Sequence, residues 1–282
     1  MRNIDETTIT QAVLERFADT PDPRHRRIFE SLVRHLHGFA REVRLTEAEW
    51  GQAIDFLTRT GQVCDARRQE FILLSDVLGL SMLTVAMHHD GGEGCTESTV
   101  FGPFHVAGAP EIDQGEDIAR GAPGMPCEVA ATVRGEDGAP VAGALVDVWQ
   151  ADAEGLYDVQ RPELDHAQNR ARLRTDSAGA LRFRAVVPQA YPIPTDGPVG
   201  ELLRAAGRHP WRPAHLHFMI AAPGYETLVT HVFRADDAYL DSDAVFGVRQ
   251  SLLAQWEPAP QGGYRMHHDF VLQRSRTAAA VP

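Results

Sequence analysis

His215-Leu-His-Phe-Met-Ile220 and Val146-Asp-Val-Trp149 both alternate side-chain character with a period of two. That period belongs to an extended strand, in which successive side chains point to opposite faces. Working outward from these two stretches, Gly and Pro become frequent from Cys95 onward, and short runs of β formers alternate with turns. Residues 128–134, 144–150, 180–187, 214–221, 228–233 and 270–272 read as strands, with tight turns at Gly135-Glu-Asp-Gly138 and Asp176-Ser-Ala-Gly179. An antiparallel β-sandwich over residues 96–282 is the expectation.

Residues 1–95 read differently. After Pro23, the apolar residues Phe29, Leu32, Val33, Leu36, Phe39 and Val43 recur at intervals of three and four, as on one face of a helix. Thr46-Glu-Ala-Glu49 has the form of a capping box and leads into Trp50, Ala53, Ile54 and Leu57; a third apolar stretch spans 71–87. The fold class expected is therefore α+β, mainly β: a helical N-terminal region over 1–95, expected as a dimerisation and linker segment, followed by the β-sandwich domain. Residues 276–282 are expected to fray.

With 282 residues, 43% of them hydrophobic, the chain can bury a sizeable core. Acidic residues exceed basic ones 39 to 27, which argues against general nucleic-acid binding and in favour of a small-molecule substrate. All the basic residues apart from histidine are Arg, so Schiff-base, pyridoxal phosphate and P-loop chemistry, which need lysine, drop out. The opening Met1-Arg-Asn-Ile-Asp-Glu has no apolar signal core and no run reaches the ~18 apolar residues of a membrane span, so a cytoplasmic protein is expected, with no membrane partner. Cys64, Cys95 and Cys127 are odd in number and widely spaced, as reduced thiols are.

The clearest chemical signal is His215-x-His217, because residues i and i+2 of a strand share a face and can reach one metal ion. Arg212, three positions ahead, can set a fixed cation at the rim of the same site. Two of the five tyrosines also stand out: Tyr157 follows a strand that runs into a loop, and Tyr191 opens the proline-stiffened Tyr191-Pro-Ile-Pro-Thr-Asp-Gly-Pro198. On these residues alone two other readings stay open. One is a zinc hydrolase drawing a third ligand from His231, Asp152 or His166; the other is a β-sandwich binding module without catalysis.

Five ordered segments resemble the intradiol ring-cleaving dioxygenases, most closely their hydroxyquinol branch. They are Thr96-Glu-Ser-Thr-Val-Phe-Gly-Pro-Phe104, Val148-Trp-Gln-Ala-Asp152 with Gly155-Leu-Tyr-Asp158, Tyr191 to Gly200, Arg212-Pro-Ala-His-Leu-His-Phe218, and Tyr239-Leu-Asp-Ser-Asp-Ala-Val-Phe-Gly247. The resemblance implies one Fe(III) per chain, held by Tyr157, Tyr191, His215 and His217. Tyr191 and Arg212 would be the catalytic residues, Tyr191 as the displaced ligand that accepts a substrate proton. It also implies a homodimer through the helical region, with a lipid bound at its interface. One departure is His105, where the family usually has Tyr after Gly-Pro-Phe.

Such a ligand set suits the ferric ion, because hard anionic oxygen stabilises that oxidation state. The implied substrate is benzene-1,2,4-triol (hydroxyquinol), cleaved with dioxygen to 3-hydroxy-cis,cis-muconate, the enol form of maleylacetate; catechol or chlorocatechol is the alternative. Leu73, Val100, Pro103, Phe104, Ile193 and Pro194 would wall the substrate pocket beside Arg212. Asp76 would meet the third hydroxyl.

Overall fold

A computed structural model describes residues 2–65, 68–88, 92 and 94–275; the fraying expected for 276–282 lies outside the described residues. The chain divides into two compact units, Met1–Arg59 and Thr60–Pro282.

The first unit contains α1 (Ile9–Arg16), α2 (Pro23–Glu42) and most of α3 (Glu47–Gln62). Asp22 starts α2 by accepting the backbone N–H groups of Arg24 and His25 at 2.7 and 3.2 Å, with Pro23 at the first helical position. The capping box at α3 is present as read: the Thr46 hydroxyl accepts the Glu49 N–H at 3.3 Å, and Glu49 accepts the Thr46 N–H at 2.9 Å. Arg41 ties α2 to α1 through the Glu6 carbonyl and the Thr10 hydroxyl. The apolar stripe of α2 is left uncovered, with Phe29, Leu32, Leu36, Phe39 and Val43 each 39–55% exposed. Trp50, Ile54 and Leu57 of α3 are exposed as well.

In the second unit the stretch read as one helical segment is two, α4 (Glu70–Val77) and α5 (Leu80–His88), bent by 76°. Gly79 makes the corner at φ +74°, a left-handed conformation that costs glycine little. Among the described residues no single helix is long and apolar enough to cross a membrane. α6 (Pro198–Ala205), not foreseen, begins beside α4: the buried Glu70 accepts the Val199 N–H at 3.1 Å.

The strands are β1 (Pro126–Gly135), β2 (Leu145–Trp149), β3 (Arg170–Arg174), β4 (Ala180–Val186), β5 (Tyr191–Pro192), β6 (Trp211–Arg212), β7 (His215–Ala221), β8 (Leu228–Arg234), β9 (Leu253–Ala254), β10 (Glu257–Pro258) and β11 (Tyr264–Leu272). One sheet runs β10-β11-β1-β4, the other β3-β2-β7-β8-β9, and β5 pairs with β6 alone. Most neighbours are antiparallel; β1 with β11 and β8 with β9 run parallel. β3 escaped the sequence reading because Arg170-Ala-Arg-Leu-Arg174 is three-fifths arginine, although Ala171 and Leu173 face inward.

Between the two sheets lies a core that includes Val146, Val148, Leu216, Phe218, Ile220, Phe183 and Phe270. Phe218 of β7 and Phe270 of β11 meet across it with ring centroids 4.8 Å apart. Burying each such ring contributes roughly 1.5–3 kcal/mol. Since β7 spends Leu216, Phe218 and Ile220 on this core, His215 and His217 must lie on its other face.

Candidate metal centre

On that outer face the side chains follow the strand register. His217 of β7 is paired with Trp149 of β2 on one side and His231 of β8 on the other, while His215 is paired with Phe233. The Trp149 indole stacks on the His217 ring, 12° from parallel at 4.6 Å, and His231 meets it edge-on at 4.2 Å. These contacts fix the imidazole plane. His215 is fixed differently: its Nδ1 donates to the Pro213 carbonyl at 2.7 Å, so the Nε2 lone pair faces inward.

The two tyrosines arrive from loops. Gly155, at φ +79°, turns the chain ahead of Tyr157, and a Cβ there would come 2.7 Å from the Tyr191 Cβ, so only glycine lets the two segments approach. Phe104 stacks on Tyr157 at 4.4 Å, and the β5–β6 pairing sets Tyr191 opposite Arg212. As a result Tyr157 Oη lies 2.8 Å from His217 Nε2 and 3.1 Å from Tyr191 Oη, and the two histidine Nε2 atoms are 3.1 Å apart. All four residues are buried. Two phenol oxygens and two imidazole nitrogens thus converge on one point, a donor set that fits a hard trivalent cation such as ferric iron.

Electrostatics follow from the exclusion of water. Burial is the largest influence on both phenols and pushes Tyr157 and Tyr191 above the ordinary tyrosine range, so a metal must displace their protons. Burial also drives His215 down to about 3 and His217 and His231 well below the usual range, leaving neutral imidazoles ready to ligate. Arg212 is buried too, which by itself would weaken its charge, yet Asp243 and the two tyrosines more than compensate. Its Nε lies 3.1 Å from Asp243 Oδ1 and its Nη1 3.3 Å from His215 Nε2.

Of the expected pocket walls, Leu73, Pro103, Phe104 and Pro194 line one cavity of about 270 Å³, with Glu70, Val159 and Gln160 among its other walls. Val100 and Ile193 do not line it; they belong with Leu73 to the adjoining apolar cluster. Asp76 is only 3% exposed, so it is no solvated helical carboxylate. Burial raises its pKa, Ser81 hydrogen-bonds to it, and it senses Arg212 and Asp243. His105 packs edge-on against Trp149 at 4.9 Å, which connects this departure to His217 through one indole.

Two residues of the site were not assigned there by the sequence reading. His231 had been nominated only for zinc, yet it forms with His215 and His217 a buried group of potential metal ligands lying within 4.8 Å of one another. Its signal was legible: counting seven residues either way from Gly224 in the β7–β8 turn pairs His217 with His231. Asp243, within the segment Tyr239–Gly247, is the other. Of the other zinc nominees, Asp152 pairs with Arg161 and His166 is exposed against Asp165.

Residues 22–96 match the family "Catechol dioxygenase N terminus" and residues 100–274 match the family "Dioxygenase". The chain is 66% identical over 272 residues to the 6-chlorohydroxyquinol 1,2-dioxygenase of Cupriavidus pinatubonensis, covering 96% of this chain and 99% of that one. Identity to the hydroxyquinol 1,2-dioxygenase of Nocardioides simplex is 53%, over 91% of this chain and 87% of the relative. Among solved structures, hydroxyquinol 1,2-dioxygenase from Pseudomonas putida superposes with a TM-score of 0.89 at 49% identity, covering 96% of this chain and 99% of the other.

The buried neutral histidines make a testable statement about the metal-free chain. Above about pH 6.5 folded and unfolded states both hold neutral imidazole, so these groups add no pH dependence. Between about 6.5 and about 3 the unfolded chain binds protons that folded His215 does not, and stability falls with falling pH. The slope per such histidine approaches about 1.4 kcal/mol per pH unit. Urea unfolding of iron-stripped protein through this range should show that slope, made shallower by His231→Gln; a flat profile would contradict neutral burial.

Proposed function

This chain belongs to the intradiol ring-cleaving dioxygenases, and on that premise we propose that it cleaves hydroxyquinol between its adjacent 1,2-hydroxyls, taking both atoms of dioxygen into 3-hydroxy-cis,cis-muconate. The observation that carries this reading is the convergence of Tyr157, Tyr191, His215 and His217 on one buried point. These four residues would hold one Fe(III) per chain. Ferric iron, when bound, would supply the electron withdrawal that lets an aromatic diol react with triplet dioxygen.

The chain's own groups do the rest. Tyr191, hydrogen-bonded to Tyr157 and near the Arg212 charge, would, once ionised by the bound metal, be the base that accepts a proton from the incoming diol. Arg212, a fixed cation in a water-excluded site, favours negative charge spreading into the ring. Asp76, buried on α4, is the polar partner for the third hydroxyl; Leu73, Pro103, Phe104 and Pro194 form the apolar walls, and Val100 and Ile193 back them from the adjoining cluster. We assign residues 96–282 to this catalytic role, with Leu73 and Asp76 of α4 contributed to its pocket, and the rest of residues 1–95 to dimerisation and linkage. The uncovered stripe Phe29, Leu32, Leu36, Phe39 and Val43 repeats at intervals of three and four, as a helix-pairing seam does, and supports a homodimer with a lipid at its interface.

Three outcomes test this reading. Purified protein should be red to burgundy with one iron per chain, and Tyr191→Phe should lower turnover by about 10²–10⁴-fold while iron stays bound; a colourless protein with full activity would refute the ligand set. In specificity, hydroxyquinol should exceed catechol in kcat/KM, because a site built to hydrogen-bond a hydroxyl strongly rejects the analogue lacking it. 6-Chlorohydroxyquinol should also turn over, since apolar walls discriminate by only roughly 10–200-fold per methylene-sized change. Asp76→Ala should collapse the hydroxyquinol-to-catechol ratio, and an unchanged ratio removes Asp76 as the reader. For assembly, light scattering should give a dimer that Leu36→Glu with Phe39→Glu converts to monomer, with lipid recovered by solvent extraction of wild type alone; a monomeric wild type rejects the seam.

A further inference from the structure

An arginine buried to 3% exposure needs more than a cavity; it needs an orientation. The guanidinium is a planar fork of five N–H donors, and whichever edge is pinned decides which edge faces the reacting groups. In Arg212 the pinned edge is Nε and Nη2, at 3.1 and 3.4 Å from the two carboxylate oxygens of Asp243. That leaves Nη1 on the side of His215, 3.3 Å from its Nε2.

Asp243 is itself held in place. Its Oδ1 accepts the Val245 N–H at 3.3 Å and its Oδ2 the Gly247 N–H at 2.9 Å, which curls residues 243–247 around the carboxylate. The curl puts Phe246 at φ +62°, a left-handed conformation that a phenylalanine keeps only where its surroundings enforce it. Gly247 completes the fit, since a Cβ there would come 3.2 Å from both Arg212 Nη2 and Asp243 Oδ2. The loop is then fastened on two sides. The Ala244 N–H donates to the Trp211 carbonyl of β6, at 3.1 Å, and Arg208 spans from the Ala244 carbonyl to the Val77 carbonyl at the end of α4. The strand carrying the cation and the helix carrying Asp76 are thereby referred to one loop.

We propose that Asp243 is a positioning residue for ring cleavage: its bidentate grip, set by the 243–247 loop, aims the Nη1 edge of Arg212 at the bound diol. The proposal rests on the reading of Arg212 as the active-site cation. Asp243 hydrogen-bonds Arg212 and its own loop, so its effect on the chemical step is assigned to the aim of Arg212. That assignment separates it from a residue that merely supports the fold.

The test is a double-mutant cycle on iron-loaded enzyme with hydroxyquinol, comparing wild type, Arg212→Gln, Asp243→Asn and the double variant. Asp243→Asn should lower kcat about 100-fold, the scale of a misaimed catalytic group, with little change in KM. Its resting visible absorption and iron content should match wild type, because no ligand has been touched. The double variant should be no slower than Arg212→Gln alone. Asp243→Glu, which keeps the charge but pushes the guanidinium out of line, should retain the fold and still lose about 10-fold in kcat; it carries the cycle if Asp243→Asn does not fold. Near-wild-type kcat in the Asp243 variants alongside a crippled Arg212→Gln overturns the positioning role alone, as do losses that multiply in the double variant. Full turnover by Arg212→Gln overturns the reading of the cation, and the proposal with it.

Discussion

One constraint organises the second unit: the two-residue period of β7. Its inward set, Leu216, Phe218 and Ile220, is committed to the core between the sheets, and its outward set carries His215 and His217. Because the period is two, a slip of one residue in register would exchange the sets, driving imidazoles into the core and phenylalanine into the site. Packing and chemistry therefore specify each other. The same register brings Trp149 and His231 against His217 from the flanking strands, so the orientation of this imidazole is fixed by the pairing that builds the sheet.

Exclusion of water is the second condition, and its consequences have opposite signs for different groups. It keeps imidazoles neutral, which favours ligation, and keeps phenols protonated, which opposes it. A tyrosinate at this point is thus something a metal must create. Arg212 can remain charged at such depth because Asp243 shares its burial; for Asp243 desolvation is the largest influence, but the charge and hydrogen bond of Arg212, with His215 and the Gly247 N–H, together outweigh it and hold the carboxyl below its ordinary range. Neither member would be tolerable there alone. The pair stores a fixed dipole beside the donor cluster where water would otherwise screen it.

The helices divide by the cores they join. α4 and α5 contribute Leu73, Val77 and Met82 to an apolar cluster with Ile193, Val199 and Leu203, inside the unit that holds the sheets. α2 carries an equally regular stripe that stays largely exposed among the described residues. Helical periodicity states that a face is apolar but is silent about what covers it.

Much was legible in the sequence because it depends on local rules. Alternation in 215–220 required a strand with both histidines on one face; Thr46 and Glu49 required a helix start; five segments in order identified the family. Strand β3 and helix α6 were less legible, since arginine-rich and proline-led stretches carry weak periodic signals. What only the tertiary structure decided is the meeting of residues far apart in the chain. Tyr157 and Tyr191 come within 3.1 Å because Gly155 lacks a side chain where the two loops cross, and Asp243 reaches Arg212 across 31 residues. Asp76 is buried toward that pair, although on its own helix nothing distinguishes it from a solvated carboxylate. A sequence pattern fixes which face a side chain takes within its own element, whereas distances between elements are set by the packing of all of them together.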